Sequence, residues 1–584
     1  MKRRIFTLHL YALAFLMSLA ACRKIDRESF TPQSPSISFE QQEVRVGNDV
    51  DTIEIDVDAN LPWRITTDAA WVSLIKANGN AGEKAKIAVQ RNRVVEERTA
   101  EITAYITADA QSKLLLIQAA GDPLPDVTRH FYVKADGPAT NDGLSWANAT
   151  TLDVALENAV SGDVIHVAAG TYVPSKMIRG GTVAGDRTFE IAENVKLVGG
   201  YPATATTGAV ANPAVNKSVL SGDGQFYHVV AITAPREADK KVSISGFTIE
   251  KGKAHTAATN LTINGVSVSK GHGGGVIVAG SEVEFDHVSI SDNQSGTHAA
   301  GMHITGIAKV TLRNSSVKNN TGLAETSNGG GIWNDGSELY MYNCEITGNR
   351  TGGVAGGLYA INTGRVSYNY LFNVTIAENE VGSTGNTGRT GAGIYARERS
   401  KFVIVNSTIY GNKNNGTAFG AGITLYGVST VDLVNSTVFG NSGGAGNAST
   451  VGGSGIYNNP AHSNVLNIYN SIVAGNIGSA KEVGGANSPK SSVIGTEVYS
   501  YTGDVVAGQS FDATSAFAPF STYGGFAKTL PLTNLTSAAA KVGMSTLQLQ
   551  ILASNLALED TYFIIDQNNR SRSGKTVMGA ALPQ

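Results

Sequence analysis

Seven residues recur down the middle of the chain and limit what it can fold into. The copy at 406–412 reads N-S-T-I-Y-G-N. Related copies begin at His287, Asn314, Asn343, Asn373, Asn435 and Asn470, with a degenerate earlier one, G-F-T-I-E-K-G, at 246–252. From 287 onward the first residues stand 27, 29, 30, 33, 29 and 35 positions apart. A motif at such a period marks a solenoid, in which each repeat buries its apolar face only against its neighbours. The motif's centre is β-branched: Ile290, Val317, Ile346, Ile376, Ile409, Val438 or Val473. Alternating segments such as 402–405 and 431–434 precede it, so the repeat reads as short strands and not as helix. Asparagine at both ends suits turns, because its side chain bonds local backbone and tolerates left-handed φ. Stacked coil over coil, asparagines can also bond one another in a ladder. The expected fold is therefore all-β, a parallel β-helix rising about 4.8 Å per coil, with two asparagine columns.

A second repeat alternates with the first: G-G-G-I at 329–332, G-G-L at 356–358, and G-A-G-I or G-S-G-I at 391–394, 420–423 and 453–456. Glycine permits the corner into the next strand. The Ile or Leu then points inward, so alternation sends the following residue outward. Those residues are Trp333, Tyr359, Tyr395, Thr424 and Tyr457, with His303 in the coil before. Flat rings spaced along a groove are what sugar faces stack on, which makes Trp333, Tyr359, Tyr395 and Tyr457 candidate glycan-binding residues. The competing reading is a ring ladder that only holds the coils together.

The amino terminus reads as an export signal over residues 1–21, with Lys2, Arg3 and Arg4 before an apolar core. It ends L-A-A-C at 19–22, which resembles the lipobox of bacterial lipoproteins. That resemblance implies cleavage before Cys22, lipidation of its thiol, and a membrane partner through the acyl chains. The expected location is the outer membrane, on the cell-surface side. The three cations leave with the signal and take the formal charge from −3 to −6, which argues against nucleic acid as a partner. The other cysteine, Cys344, stands where serine usually follows the first asparagine, and reads as a small ladder residue.

Residues 22–35 read as a tether, 36–121 as a small Ig-like β-sandwich, 122–128 as a linker, 129–480 as the β-helix, and 481–584 as C-terminal coils and cap. In the sandwich, L-P-W at 61–63, A-W-V at 70–72, Gly79, Gly82, Asn92, R-T-A-E-I at 98–102 and I-Q-A at 117–119 resemble the BACON domain of surface lipoproteins. The resemblance implies either sugar binding or a spacer, with Trp63 and Trp71 in the core. The stretches 131–137, 141–146, 152–159, 162–172 and 195–201 resemble the opening of pectin-lyase-like right-handed β-helix proteins, whose first coil is capped by a short helix. T-L-P-L at 529–532, I-I-D at 564–566 and M-G-A at 578–580 resemble the end of the choice-of-anchor Q group. A helical stretch near 538–558 and the ending L-P-Q depart from that pattern.

The pectin-lyase-like fold hosts lyases, hydrolases, esterases and binding proteins, so the site must decide. A uronate lyase commonly uses Ca²⁺ and a basic residue, and a glycosidase uses two carboxylates. Asp292, Gly348, Glu378, Gly411 and Gly440 share one position in the repeat, and its two acids are not in adjacent coils. Glu282, Glu284 and Asp286 share a strand face, but Lys309, Thr311 and Arg313 stand opposite them, the pattern of cross-strand ion pairs. His255, His272, His287, His298 and His303 fall within 49 residues and could form a metal or acid–base site on the early coils. Arg350, Arg365, Arg389, Arg397, Arg399 and Lys401 are cations that could meet acidic glycans. No catalytic residue, metal ligand or cofactor is assigned, Ca²⁺ entering only if the protein is a lyase. The leading expectation is a non-catalytic glycan-binding or adhesive lipoprotein. The alternatives are a polysaccharide lyase or glycoside hydrolase, and a structural or partner-binding stalk.

Overall fold

The computed structural model describes residues 34–49, 51–92, 96–121, 128–257, 259–361, 364–383, 388–443, 452–533 and 537–583. The export signal, Cys22 and most of the tether lie outside them.

The first domain is two facing sheets. One orders the strands Ile37–Phe39, Asp51–Ala59, Lys84–Val89 and Val72–Lys76; the other orders Glu43–Val46, Gln111–Gln118, Arg98–Tyr105, Trp63–Thr66 and Asn78–Gly79. Alternating apolar residues meet between them, among them Trp63, Ile65, Ile87, Ile102 and Leu116. Trp63 is fully enclosed and its indole N–H donates to the Asn80 carbonyl at 2.9 Å. Trp71 sits at the core's edge, half-buried, with the Arg98 guanidinium 4.4 Å from its ring centre.

From His130–Val133 onward the chain winds as a parallel β-helix. One wall is a ten-stranded sheet that runs from Phe189–Ile191 to Val483–Gly484. A 23-stranded sheet supplies two further walls, because most coils give it two runs, such as Lys309–Arg313 then Ser316–Lys318. Two-residue strands from Lys253–Ala254 to Ser442–Gly443 form a seven-stranded ribbon beside them. Inside is one continuous aliphatic core. The helix Leu152–Asn158, N-capped by Thr151, packs over the first coils.

The motif's first asparagine makes the bend between the two runs. Asn314, Asn343, Asn373, Asn406, Asn435 and Asn470 have φ of 45–57°, and His287 takes the same conformation in its copy. Asparagine accepts this left-handed geometry at low cost. The residue before the second asparagine is also left-handed: Asp292, Glu378, Gly411 and Gly440 all have positive φ. The two acids at that position are thus turn residues. The second asparagines from Asn293 to Asn441 are buried, and each carboxamide donates to the next coil: Asn293 to Asn320, then to Asn349, Asn379, Asn412, Asn441 and the half-buried Asn476, all at 2.8–3.0 Å. In the first column the direction is reversed, Asn406 donating to Asn373, Asn373 to Asn343 and Asn343 to Asn314. Serines beside it (Ser407, Ser436, Ser471, Ser492) accept backbone N–H bonds from the coil before. Cys344 occupies that column, fully buried, and burial pushes its thiol up to about 12.

The C-terminal segment does more than close the end. Glu497–Tyr499 and Val505–Ser510 add an antiparallel hairpin to the last coil. The chain then returns along the outside of the long sheet. Met544, Leu549, Leu552, Ala553 and Phe563 pack on the outward residues Phe372, Val403, Val405 and Val434. The helix there spans only Thr546–Asn555, shorter than its sequence suggests. Gln567 bonds Thr408 and Thr375, and the Asn435 amide donates to the Phe563 carbonyl. The strap is held in shape by Arg572, whose buried guanidinium donates to the carbonyls of Ile565, Val577 and Gly579.

Candidate functional site

The outward column of the ten-stranded wall is in the expected register. Ile277, His303, Trp333, Tyr359, Tyr395, Thr424 and Tyr457 are successive neighbours across seven coils. Trp333 and Tyr359 lie 5.2 Å apart between ring centres, and Tyr359 stacks on Tyr395 at 5.6 Å and 10°. The rings are not the open platform that alternation suggests. Trp333 is 9%, Tyr359 2% and Tyr395 6% exposed, while Tyr457 is half-buried. Alternation places a side chain outside the coil but says nothing of the loops outside it. Here Ala299, Val354 and Ala355 from those loops close over the rings. The glycine repeat serves the same packing: a Cβ at Gly391 would come within 2.9 Å of the Tyr395 Cβ.

The column continues into a histidine cluster. His272 lies 5.0 Å from each of His298, His303 and Trp333, between ring centres, and His298 is 4.6 Å from Trp333. His228 joins them, its Nδ1–H donating to the Gly273 carbonyl at 2.9 Å. Among the described residues no carboxylate pairs with these rings, and burial is the largest influence on their charge, with Asp186 opposing it weakly at His228. Burial holds His228 and His298 at about 4 and His272 at about 3, and keeps His303 well below its usual value. Both ring nitrogens of His303, one each of His228 and His272, and the Trp333 indole nitrogen are buried without a hydrogen-bond partner. The cluster therefore packs as neutral rings at neutral pH. Of the five histidines grouped by sequence, the fold brings together three. His255 stacks edge-on with Tyr227, and His287 pairs with Asp286 at 3.0 Å. Among the described residues no group of three or more His, Cys, Asp or Glu side chains could hold a metal ion.

The acidic run is neutralised across coils. Lys309 meets Glu282 at 2.9 Å, Arg313 meets Glu284 at 3.2 Å, and Lys241 also reaches Glu284. Of the scattered cations, Arg350 pairs with Glu380 and Arg397 with Glu398.

Two groups escape a reading of the repeat. The outer face of the long sheet carries parallel tyrosines: Tyr340 stacks on Tyr370 at 4.9 Å and 10°, and Tyr368 lies 6.5 Å from Tyr370 at 4°. Tyr368 is 37% exposed and the other two are half-buried. The next pair along, Tyr342 and Phe372, lies under Tyr562 of the strap. The signal was present in the alternating E-L-Y-M-Y and Y-N-Y-L-F runs, but only the strap decides which rings stay open. Near the start of the solenoid, His166 bonds His130 and the Tyr201 hydroxyl at 2.8 Å each, and is held at about 4 chiefly by burial.

Two family models match along this architecture. Residues 252–498 match the right handed beta helix region family and residues 36–120 the viral BACON domain. A crystal structure of pectate lyase Pel9A superposes at a TM-score of 0.40 with 14% identity, covering 72% of this chain and 92% of that one. A rhamnogalacturonan lyase gives a TM-score of 0.22 at 13% identity, over 63% and 85%. A Bacteroides ovatus GH5 xyloglucanase in complex with a XXXG heptasaccharide gives 0.14 at 19%, over 25% and 38%. No curated protein matches the sequence.

Proposed function

We propose that this chain, a BACON domain followed by a right-handed β-helix, is a lipid-anchored surface protein that binds glycans without cleaving them. The observation that carries the reading is the tyrosine group Tyr340, Tyr368 and Tyr370. Three near-parallel rings with hydroxyl handles stand on an outer wall at the open side of the strap. Sugar rings present C–H faces to such aromatics and hydroxyls to their polar tips. The Trp333–Tyr359–Tyr395 column takes the other role, a ladder that fastens coil to coil. Glu282 and Glu284 already have basic partners, and among the described residues no acid pairs with the buried histidines. The anchor rests on the L-A-A-C run at 19–22, and Cys22→Ser is expected to release the protein from membranes.

The test uses the soluble form beginning at Lys24, incubated with uronate and neutral polysaccharides with and without Ca²⁺. Chain length and the absorbance of unsaturated ends are followed, and retention of the protein on each immobilised glycan is measured. Retention without shortening supports binding. Shortening of any polymer replaces this reading with a lyase or hydrolase and directs attention to His130, His166 and Tyr201.

A further inference from the structure

A surface cavity of about 380 Å³ opens at the turns between the ten-stranded wall and the long sheet, beside the tyrosine group. Ile307, Glu338, Arg365, Tyr368 and Arg399 line it. Most other arginines of the solenoid are committed: Arg129, Arg179, Arg236, Arg313, Arg350 and Arg397 each have a carboxylate partner. Among the described residues no carboxylate forms an ion pair with Arg365 or Arg399, and both are exposed. A second feature of the rim is its backbone. Ile307 has φ of 64° and Arg399 of 63°. For a β-branched residue the left-handed region is a true outlier, and such strain collects at binding sites. Ile307 is also 46% exposed, an apolar side chain held out at the mouth of the cavity.

We propose that this cavity is a subsite for one anionic sugar residue, carrying a carboxylate or a sulfate, within a longer glycan. The inference rests on the glycan-binding reading and adds the charge class and the place. Guanidinium groups match planar or trigonal oxyanions with paired N–H donors. Arg365 and Arg399 clasp the anion, from neighbouring coils. Tyr368 and Ile307 lie against the apolar face of the ring. Glu338, which accepts the Tyr340 hydroxyl at 3.1 Å, is placed to accept a sugar hydroxyl. Tyr370 and Tyr340 continue the surface toward the next sugar.

The experiment measures affinity of the Lys24 form for a polygalacturonate oligomer, a sulfated dextran and neutral dextran, at low and high salt. Binding to at least one anionic polymer is expected to exceed that to dextran and to weaken with salt. The double variant Arg365→Gln, Arg399→Gln is expected to lose about tenfold or more in that affinity with an unchanged melting temperature. Arg365→Lys with Arg399→Lys is expected to recover part of it, and Arg350→Gln none of the loss. Comparison of the two anionic polymers identifies which oxyanion is taken. Equal affinity for all three polymers, or an unaffected double variant, overturns the subsite and leaves the glycan-binding reading standing. Retention on no glycan of the wider panel overturns both.

Discussion

The second asparagines show how much one side chain carries. The Asn379 carboxamide oxygen accepts both the Asn349 amide and the Asn349 backbone N–H, and its own amide donates to Ile346 and Asn412. Asn379→Ala leaves two buried donors of Asn349 unpaired. At about 1–3 kcal/mol for each buried unsatisfied group, a loss of about 3 kcal/mol is expected in denaturant titration. Asn414→Ala, which removes donors to the Arg389 and Ala418 carbonyls but takes no carboxamide partner from a neighbouring asparagine, is expected to cost less. The histidine cluster makes a pH prediction. In the unfolded chain each imidazole takes a proton near 6.5, whereas burial holds His228, His272 and His298 at about 3–4 in the fold. The unfolded state therefore binds more protons over that window, so stability falls as pH drops from 6.5 to about 4. Melting temperature against pH is expected to show this slope, and His272→Gln with His298→Gln to flatten it. The columns were legible in sequence because few residues besides asparagine accept the left-handed bend, and a buried carboxamide needs its partner repeated in every coil. The exposure of Trp333, Tyr359 and Tyr395 was not legible, because the residues that cover them belong to loops of irregular length.

At the scale of the element, the ring column and the strap do different work from what their positions suggest. Trp333→Ala removes a nearly buried indole and is expected to cost about 3 kcal/mol or more, with glycan retention unchanged once the variant is folded. Tyr368→Ala is expected to do the reverse, weakening retention at little cost in stability. Differential scanning calorimetry together with a glycan column separates the two. The strap covers Phe372, Val403, Val405 and Val434, outward positions that a free wall would fill with polar residues. A chain ending at residue 543 loses the helix Thr546–Asn555 and Phe563, and is expected to bind a hydrophobic dye and aggregate on warming. Those apolar outward residues stood in strands such as F-V-I-V at 402–405, where both faces are apolar, so alternation alone gave no sign of what the outer one meets. Their partner lies more than a hundred residues downstream, beyond the reach of any periodicity.

Over the whole molecule, the two domains meet through a hairpin insert. The strands Asn260–Ile263 and Val266–Ser269 leave the solenoid, and Asn264 at their turn reaches Ser73 and Gln90 of the sandwich. Asn264→Ala is expected to raise the radius of gyration in small-angle scattering, with both melting transitions unchanged. The two asparagine columns carry a polarity as well as a set of bonds. In the buried column every amide points its positive end toward the C-terminal coils, and the last, Asn476, meets the Glu482 carboxylate at 2.7 Å. In the bend column the amides from Asn406 to Asn314 point the other way, and Asn314 meets Asp286 at 3.0 Å. Aligned amide dipoles reinforce one another along a stack and leave a partial positive charge at its donor end. Each stack here ends on an acid, and the two oppose each other along the axis. A coil inserted between those acids would propagate both stacks, whereas extending either stack past its acid would require displacing a carboxylate. The stretch of solenoid over which the asparagine ladders can be copied by simple repetition is thereby marked in the chain, by Asp286 at one end and Glu482 at the other.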